Sequence, residues 1–317
     1  MTDQAAPTAP PAGEVTLEAG ASGFGGAETQ AAAVGGITRQ TQFGNVRRRF
    51  LRNKLALLGL VMIGIVFLTA LLAPIIATHP PRAQDLTITL QGPSAEHWLG
   101  TDELGRDQFS RIVYGTRIAV SVGLASIFLA LVIGVVLGSV AGYLGRGWDT
   151  LIMRVADVFF AFPLIIGAVV IILVVGRGVT PVIIALGLFS WATIARLLRS
   201  SILSIRESEY VEAARSLGAG KWRIVTRHVL PNSMAPVLVY AMVSVATAIV
   251  AQASLSYLGV GVPPDVPDWG NMISSGQKFF GFKDYLWFFP SMAVVFTVLG
   301  FIFVGDGLRD ALDPRLR

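Results

Sequence analysis

The chain has 317 residues, of which 53% are hydrophobic and 14% are charged, and its mean hydropathy is +0.65. Soluble domains usually carry about 25% charged residues, so this composition indicates lipid as the main solvent. The absence of cysteine excludes disulfides, thiol nucleophiles and cysteine-based zinc sites. The net charge of +5 would suit nucleic acid, but the basic residues cluster beside apolar segments, and we therefore predict no nucleic-acid partner.

Residues 1–43 are rich in small residues, with ten Ala, seven Gly and three Pro. Such a segment buries too little apolar surface to offset the entropy lost on ordering, and we predict a disordered tail. It lacks the basic start and apolar core of a secretory signal. The remainder, 44–317, is predicted to be a single transmembrane domain.

Six apolar runs follow the tail. The first, from Leu55 to Ala77, has 23 residues. As a helix it would be about 34 Å long, which is enough to cross a hydrocarbon core of about 30 Å. Because lipid offers no partners to backbone polar groups, such runs must be helical. We predict an all-α polytopic membrane protein with about six transmembrane helices, at approximately 55–77, 118–140, 151–175, 182–198, 235–255 and 286–304.

Basic residues are distributed unequally over the segments between these runs. Arg47, Arg48 and Arg49 precede the first run, and the long loop at 199–234 is also rich in Arg. The positive-inside rule places such segments in the cytoplasm. With six spans, both termini are then predicted to be cytoplasmic in a bacterial-type plasma (inner) membrane.

The inner loop at 205–233 is predicted to form two short helices joined by a bend. Ser208 suits the N-cap of the first helix, and Gly218 suits the left-handed residue that ends it. A second helix is expected to begin near Lys221 and to be stopped by Pro231. Spacing alone fits an ordinary interfacial hairpin as well as a compact surface that another protein approaches closely.

The same loop resembles a family motif. Its residues match the E-A-A…G…L-P pattern of ABC-transporter permeases at Glu212, Ala213, Ala214, Gly218, Leu230 and Pro231. The resemblance implies that this loop couples the chain to the ATP-hydrolysing subunit. His228, which precedes an apolar residue and Leu-Pro-Asn, is similar to the peptide-permease branch and is interpreted as a marker of that branch.

Three further segments, 97–111, 256–272 and 305–314, resemble the dipeptide/oligopeptide/nickel permeases, and the likeness extends over about residues 40–317. It implies a type I ABC importer permease architecture and the second of two permease subunits. The implied partners are another permease subunit, two ATP-binding subunits, an extracytoplasmic solute-binding protein and membrane lipid. The implied solute is a dipeptide or oligopeptide, and the alternative within the family is nickel or another small solute.

No enzymatic site is predicted. Gly218-Ala219-Gly220-Lys221 is not a phosphate-binding loop, because Arg215 and Trp222 stand where that loop needs Gly and Ser or Thr. We expect no cofactor in this chain, with ATP and magnesium bound by the partner subunits. The histidines are too scattered along the sequence to suggest a metal site, and we predict none: His79, His97 and His228.

Polar residues within the apolar runs are candidates for a translocation path or gate. Arg154 and Asp157 are expected to pair at i, i+3, either as a gate or with Arg154 extending to the headgroups. Gln252 is a further path candidate, and Pro163 is expected to kink the third run. Small residues spaced by four predict close helix packing at Gly134, Gly138 and Gly142. A stand-alone secondary transporter or channel is the alternative from a different class.

Overall fold

The computed structural model describes residues 42–312, so the predicted tail lies almost entirely outside the described residues. The regular elements of this part of the chain are helices. They are α1 (Gln42–Arg52), α2 (Lys54–Ile76), α3 (Gln108–Leu144), α4 (Arg146–Ala161), α5 (Leu164–Val175), α6 (Val179–Ile205), α7 (Glu209–Ser216), α8 (Lys221–Ile224), a π-helical turn (Val225–Val229), α9 (Leu230–Tyr257), α10 (Trp269–Gly276), a 3₁₀ turn (Gln277–Phe279) and α11 (Tyr285–Leu312).

Five helices between residues 42 and 312 are long and apolar enough to cross a membrane: α2, α3, α6, α9 with the turn before it, and α11. α4 and α5 are together long and apolar enough for a sixth crossing, but they are bent by 92° relative to each other, so this crossing would be a broken span. The predicted span 151–175 is therefore divided into two helices, at the proline that is predicted to kink it. Pro163 lies at the break and holds the preceding Phe162 in an extended conformation, with φ −102° and ψ 131°.

Several helices extend beyond the predicted apolar runs. α3 begins ten residues before its predicted start at 118, and α6 continues past its predicted end at 198. Polar residues do not stop these helices because they find partners. Asp107 caps α3 by accepting from the Ser110 amide at 2.7 Å, and Arg199 of α6 donates to Asp149 of α4 at 2.6 Å.

A glycine stripe on α3 forms the seam with α6. A Cβ atom added at Gly138 would lie 2.7 Å from the Ala195 carbonyl oxygen, and one at Gly134 would lie 2.7 Å from the Ile194 side chain. Such distances leave no room for a side chain, so the two backbones approach closely. The packing role predicted for the stripe is confirmed.

The bundle has two distinct ends. The segment 206–229, between α6 and α9, lies at one end; we call this segment the knob and this end the knob end. The loops 77–107 and 258–284 lie at the opposite end, which we call the far end. The start of α2 and the end of α11 meet, because Asn53 Nδ2 donates to Asp310 Oδ2 at 3.1 Å. Since α6 and α11 both run away from the far end, this junction lies at the knob end. The chain therefore enters and leaves the bundle on the same side.

Candidate docking site

The knob is the segment 206–229, which comprises α7, α8 and the π-helical turn. One side of it is anchored in the core. Val211 and Val229 are 0% exposed and Ile224 is 1% exposed, and all three belong to the apolar cluster that includes Leu198 of α6. The knob is thus fixed to the bundle by buried side chains, and its opposite side is left to solvent.

The bend between α7 and α8 is a Schellman motif centred on Gly218. The Gly218 amide donates to the Arg215 carbonyl at 3.0 Å, and the Ala219 amide donates to the Ala214 carbonyl at 3.1 Å. Gly218 has φ +80°, yet a Cβ there would meet nothing within 4 Å. Glycine is therefore required by backbone conformation and not by space, and the predicted helix end at Gly218 is confirmed.

α7 begins directly after Ser208, the N-cap residue that the sequence predicts. Ser208 occupies the N-cap position with an extended backbone, but its hydroxyl makes no hydrogen bond to the α7 amides. The hydroxyl instead donates to the Ile205 carbonyl at 2.6 Å. The predicted N-cap position is therefore confirmed, although the Ser208 hydroxyl closes the end of α6 instead of capping the α7 amides.

Pro231 does not end the helix before it. The π-helical turn joins α8 to α9, and Pro231 lies in the first turn of α9, where a missing amide hydrogen costs little. The Leu230 amide donates to the carbonyl of Val225, five residues back, and Asn232 Nδ2 donates to the His228 carbonyl at 2.6 Å. The widened turn absorbs the proline, so the predicted stop is wrong and the chain continues as a helix.

The solvent-facing side of the knob combines small residues with large apolar ones. Glu212 and Ala213 of the predicted motif are exposed, and Ala214 is partly exposed. Leu217 is 89% exposed and Trp222 is 78% exposed, one on each side of the Gly218 bend. Sequence reasoning missed these two residues as surface features. The available signal was a large apolar residue within four positions of a helix-ending glycine on either side, in a segment, 214–223, that is otherwise polar or small.

The predicted pair of Arg154 and Asp157 is not the one that the structure forms. Asp157 accepts from Arg196 Nη2 of α6 at 2.6 Å, and no ion pair links it to Arg154 among the described residues. The Arg196 guanidinium also lies over the Phe160 ring, 4.3 Å from its centroid. About half of each charged side chain is exposed, 48% for Arg196 and 53% for Asp157. The pair therefore ties α4 to α6 on an open face of the chain.

Gln252 is buried and does not line an open path in this structure. It is 1% exposed, and its Nε2 donates to Asp268 Oδ1 at 2.5 Å. Asp268 also caps α10, since its carboxylate accepts from the Asn271 amide at 3.1 Å. Burial raises the pKa of the Asp268 carboxyl, against the lowering effect of these donors. Gln252 thus fixes α10 to α9 at the far end.

A buried charge network organises the other far-end loop. Asp102 accepts from Arg106 Nε at 2.7 Å, and Arg111 Nε lies 3.7 Å from the same carboxylate. The three residues are between 1% and 7% exposed. The carboxylate also accepts from the Leu104 amide at 2.9 Å. This network gives the segment that resembles the family's outer loop a structural role.

Two of the three histidines are neighbours at the far end. The rings of His79 and His97 have centroids 4.5 Å apart, and Glu96 lies close enough to form a cluster with them. Their separation along the sequence, which argued against a metal site, does not keep this pair apart in the fold. The loop 77–107 folds back on itself, which sequence spacing does not reveal, whereas His228 lies in the knob.

The fold and its apolar helices define a polytopic, all-α membrane protein. A family described as the inner membrane component of binding-protein-dependent transport systems matches residues 134–317. The N-terminal transmembrane domain of oligopeptide transport permease C matches residues 41–93. The chain belongs to the family of inner membrane components of binding-protein-dependent transport systems. It is a permease subunit of an ABC transporter, which makes it a transport subunit rather than an enzyme.

Relatives of known role support the same family. A dipeptide transport system permease protein of Alkalihalophilus pseudofirmus is 42% identical over 266 residues, covering 84% of this chain and 88% of that protein. An oligopeptide transport system permease protein of Bacillus subtilis is 40% identical over 269 residues, covering 85% and 88%. A glutathione transport system permease protein of Pectobacterium atrosepticum is 42% identical over 275 residues, covering 85% and 90%.

A solved structure confirms the fold. An inward-facing crystal form of the MetNI methionine ABC transporter contains a chain that aligns with a TM-score of 0.54 at 22% identity. The alignment covers 64% of this chain and 97% of that chain. At this identity the likeness concerns the fold alone.

Proposed function

We propose that this chain is one of two permease subunits of an ATP-driven importer of dipeptides or oligopeptides, and that the knob docks on an ATP-binding subunit. The observation that carries the proposal is the composition of the knob's exposed side. An anchored structure presents Leu217 and Trp222 to solvent beside small alanines. Exposed apolar groups of this size on a rigid support favour a protein interface.

The ATP-binding subunits supply the chemistry, and this chain transmits their motion. Arg215 and Trp222 flank the only glycine-lysine segment of the sequence and are incompatible with a phosphate-binding loop. ATP and magnesium are therefore assigned to the partners, with no cofactor on this chain. Glu212, Ala213 and Ala214 contribute to the docking surface together with Leu217 and Trp222, while the motif's Leu230 and Pro231 join the knob to α9.

The knob end faces the cytoplasm in this proposal. The concentration of Lys and Arg in the segments 44–54 and 196–227 supports this orientation. Both termini then lie in the cytoplasm, because the chain enters and leaves at the knob end. The far-end loops 77–107 and 258–284 face outward, where an extracytoplasmic solute-binding protein delivers the solute.

The open face that carries Asp157 and Arg196 is assigned to the interface with the second permease subunit and to the path between them. An exposed ion pair on two apolar helices is expensive against lipid, and it is better accommodated beside water or another polar chain. The predicted path residue Asp157 keeps this role, with Arg196 in place of Arg154 as its partner. Gln252 is assigned instead to supporting the far-end loops.

The solute class rests on the relatives, whose names specify dipeptides, oligopeptides and glutathione. All three share an amide-linked backbone, which favours a peptide solute here. Nickel or another small solute is the alternative. A solute-binding protein from the same system that binds peptides, and not nickel, would distinguish the two.

The experiment that tests coupling uses two substitutions at one position. Valine cannot easily adopt the left-handed conformation of Gly218, whereas asparagine adopts it at small cost. We expect Gly218→Val to abolish ATP-driven peptide uptake in proteoliposomes that contain the assembled importer, and Gly218→Asn to retain most of it. ATP-driven uptake at the wild-type rate by the valine variant would contradict the role of the knob.

A further inference from the structure

The far end holds a cluster of potential metal ligands that the transport mechanism does not use. His79 follows α2, and Glu96 and His97 lie in the loop before α3. One ligand atom from each residue can be chosen so that all three atoms lie within 4.8 Å of one another. The burial of the three differs, since His97 is buried, His79 is partly exposed and Glu96 is exposed.

His97 is held in the orientation that a metal ligand requires. Its Nδ1 lies 2.9 Å from Asp107 Oδ1, and the Asp107 side chain is only 1% exposed. An imidazole that donates one N–H to a buried carboxylate has a fixed tautomer and presents the other nitrogen, Nε2, as a more basic ligand. Its backbone is fixed as well, because the His97 amide donates to Ser94 Oγ at 3.0 Å.

His79 is oriented in a similar way. Its Nδ1 lies 3.0 Å from Thr78 Oγ1, and its backbone amide donates to Ser110 Oγ at 3.0 Å. Ser110 lies in the first turn of α3, and Asp107 caps the same helix. Both histidines are therefore held by contacts with the N-terminus of α3. Each ring thus has its Nδ1 in contact with a side-chain oxygen, and Glu96 adds a carboxylate to the cluster.

We propose that His79, Glu96 and His97 form a site for a divalent transition-metal ion such as Zn²⁺. Two imidazoles and one carboxylate with an open fourth position are a common donor set for this ion, whereas Mg²⁺ and Ca²⁺ prefer oxygen ligands alone. At metal–ligand distances of about 2.0–2.2 Å, tetrahedral ligand atoms lie roughly 3.4 Å apart, a spacing that small side-chain movements in this cluster can reach. The exposed Glu96 and the partly exposed His79 are the members able to move toward His97.

A bound ion would join parts of the chain that the sequence separates. His79 continues from the end of α2, and His97 is attached through Asp107 to the N-terminus of α3. The ion would therefore link the two helix ends and the loop between them. This role is structural and concerns only residues of this chain, so it is independent of the solute and of the knob.

The test is zinc binding by the full chain purified with an affinity tag that contains no histidine. The chain has no cysteine and only three histidines, so few other side chains compete for the ion. We expect one Zn²⁺ bound per chain in equilibrium dialysis with elemental analysis. We expect His79→Gln and Glu96→Gln to weaken it at least about tenfold, because removing even an outer-shell partner of a metal ligand weakens binding by that much. His228→Gln, at the knob end, is the matched control and should bind as the wild type does.

A second readout separates a metal site from a histidine pair that serves only the fold. Zinc should raise the unfolding midpoint of the wild type and of His228→Gln, and should leave that of His79→Gln unchanged. Glu96 and His79 are substituted in preference to His97, because loss of His97 also removes the contact with Asp107. The proposal would be overturned if the wild type showed no saturable zinc binding. It would also be overturned if the His79 and Glu96 variants bound zinc as tightly as the wild type.

Discussion

The knob end and the far end are both built from segments between membrane helices, but they are stabilised in different ways. At the far end, buried charges find their partners within the chain, as Asp102 does with Arg106. At the knob, Gly218 sets the shape through its backbone, and Leu217 and Trp222 are left exposed. The buried charges of the far end are therefore satisfied within the chain, whereas under the proposed function the exposed side chains of the knob are covered by an ATP-binding subunit.

The largest expected effect is on stability at the far end. Asp102→Ala would leave Arg106 and Arg111 buried without their carboxylate, and breaking such a network costs about 3–5 kcal/mol. We expect a strong decrease in folded protein and in the unfolding midpoint in detergent. The matched control is Glu103→Ala, because Glu103 is next in the chain and its ion pair with Lys278, at 3.7 Å, is partly exposed, with 32% of the Glu103 side chain and 64% of the Lys278 side chain accessible. Equal losses in the two variants would show that the buried network is not what stabilises this end.

The second effect is on binding at the knob. Trp222→Ala and Leu217→Ala remove exposed side chains, so the unfolding midpoint should change little. If these residues are central to a docking surface, each substitution should weaken binding of the ATP-binding subunit by about 2 kcal/mol, or roughly 30-fold. The measurement is co-purification of that subunit at increasing dilution. If both variants retained the ATP-binding subunit as well as the wild type does, the subunit would bind at another surface of the chain.

The smallest effect concerns pH at the far end. The folded-state pKa of Asp268 is raised by burial, so its contribution to stability is full in acid and is lost as pH rises through that pKa. The difference in stability between the wild type and Asp268→Asn should therefore favour the wild type most at acidic pH. This difference should decrease as the pH rises toward neutral. Unfolding midpoints of the two proteins over a pH series test the sign. An advantage that grows with pH would contradict it.

Sequence reasoning predicted the elements whose cause is local. Apolar runs located the long helices, because lipid imposes helix on any such run. Gly218 could be predicted as a helix end because the positive φ required there depends on the residue itself, and glycine adopts it at little cost. The glycine stripe on α3 was predicted as a packing surface since its spacing is that of one helix face.

The features that were missed depend on contacts between distant segments. Asp157 pairs with Arg196 of another helix, which no spacing rule within α4 could indicate. His79 and His97 meet because the far-end loop folds back. Pro231 was expected to stop a helix, but the π-helical turn before it places it where proline is tolerated. In each case the outcome was set by tertiary structure rather than by local propensity.

The most direct test of the central claim uses the absence of cysteine from this chain. Single cysteines are introduced by Leu217→Cys at the knob and by Phe282→Cys at the far end, where the side chain is 88% exposed. Each variant is treated with a thiol-directed cross-linker in native membranes. We expect Leu217→Cys to form an adduct with the ATP-binding subunit and Phe282→Cys to form none. An adduct from Phe282→Cys, with none from Leu217→Cys, would contradict the assignment of the knob as the docking site.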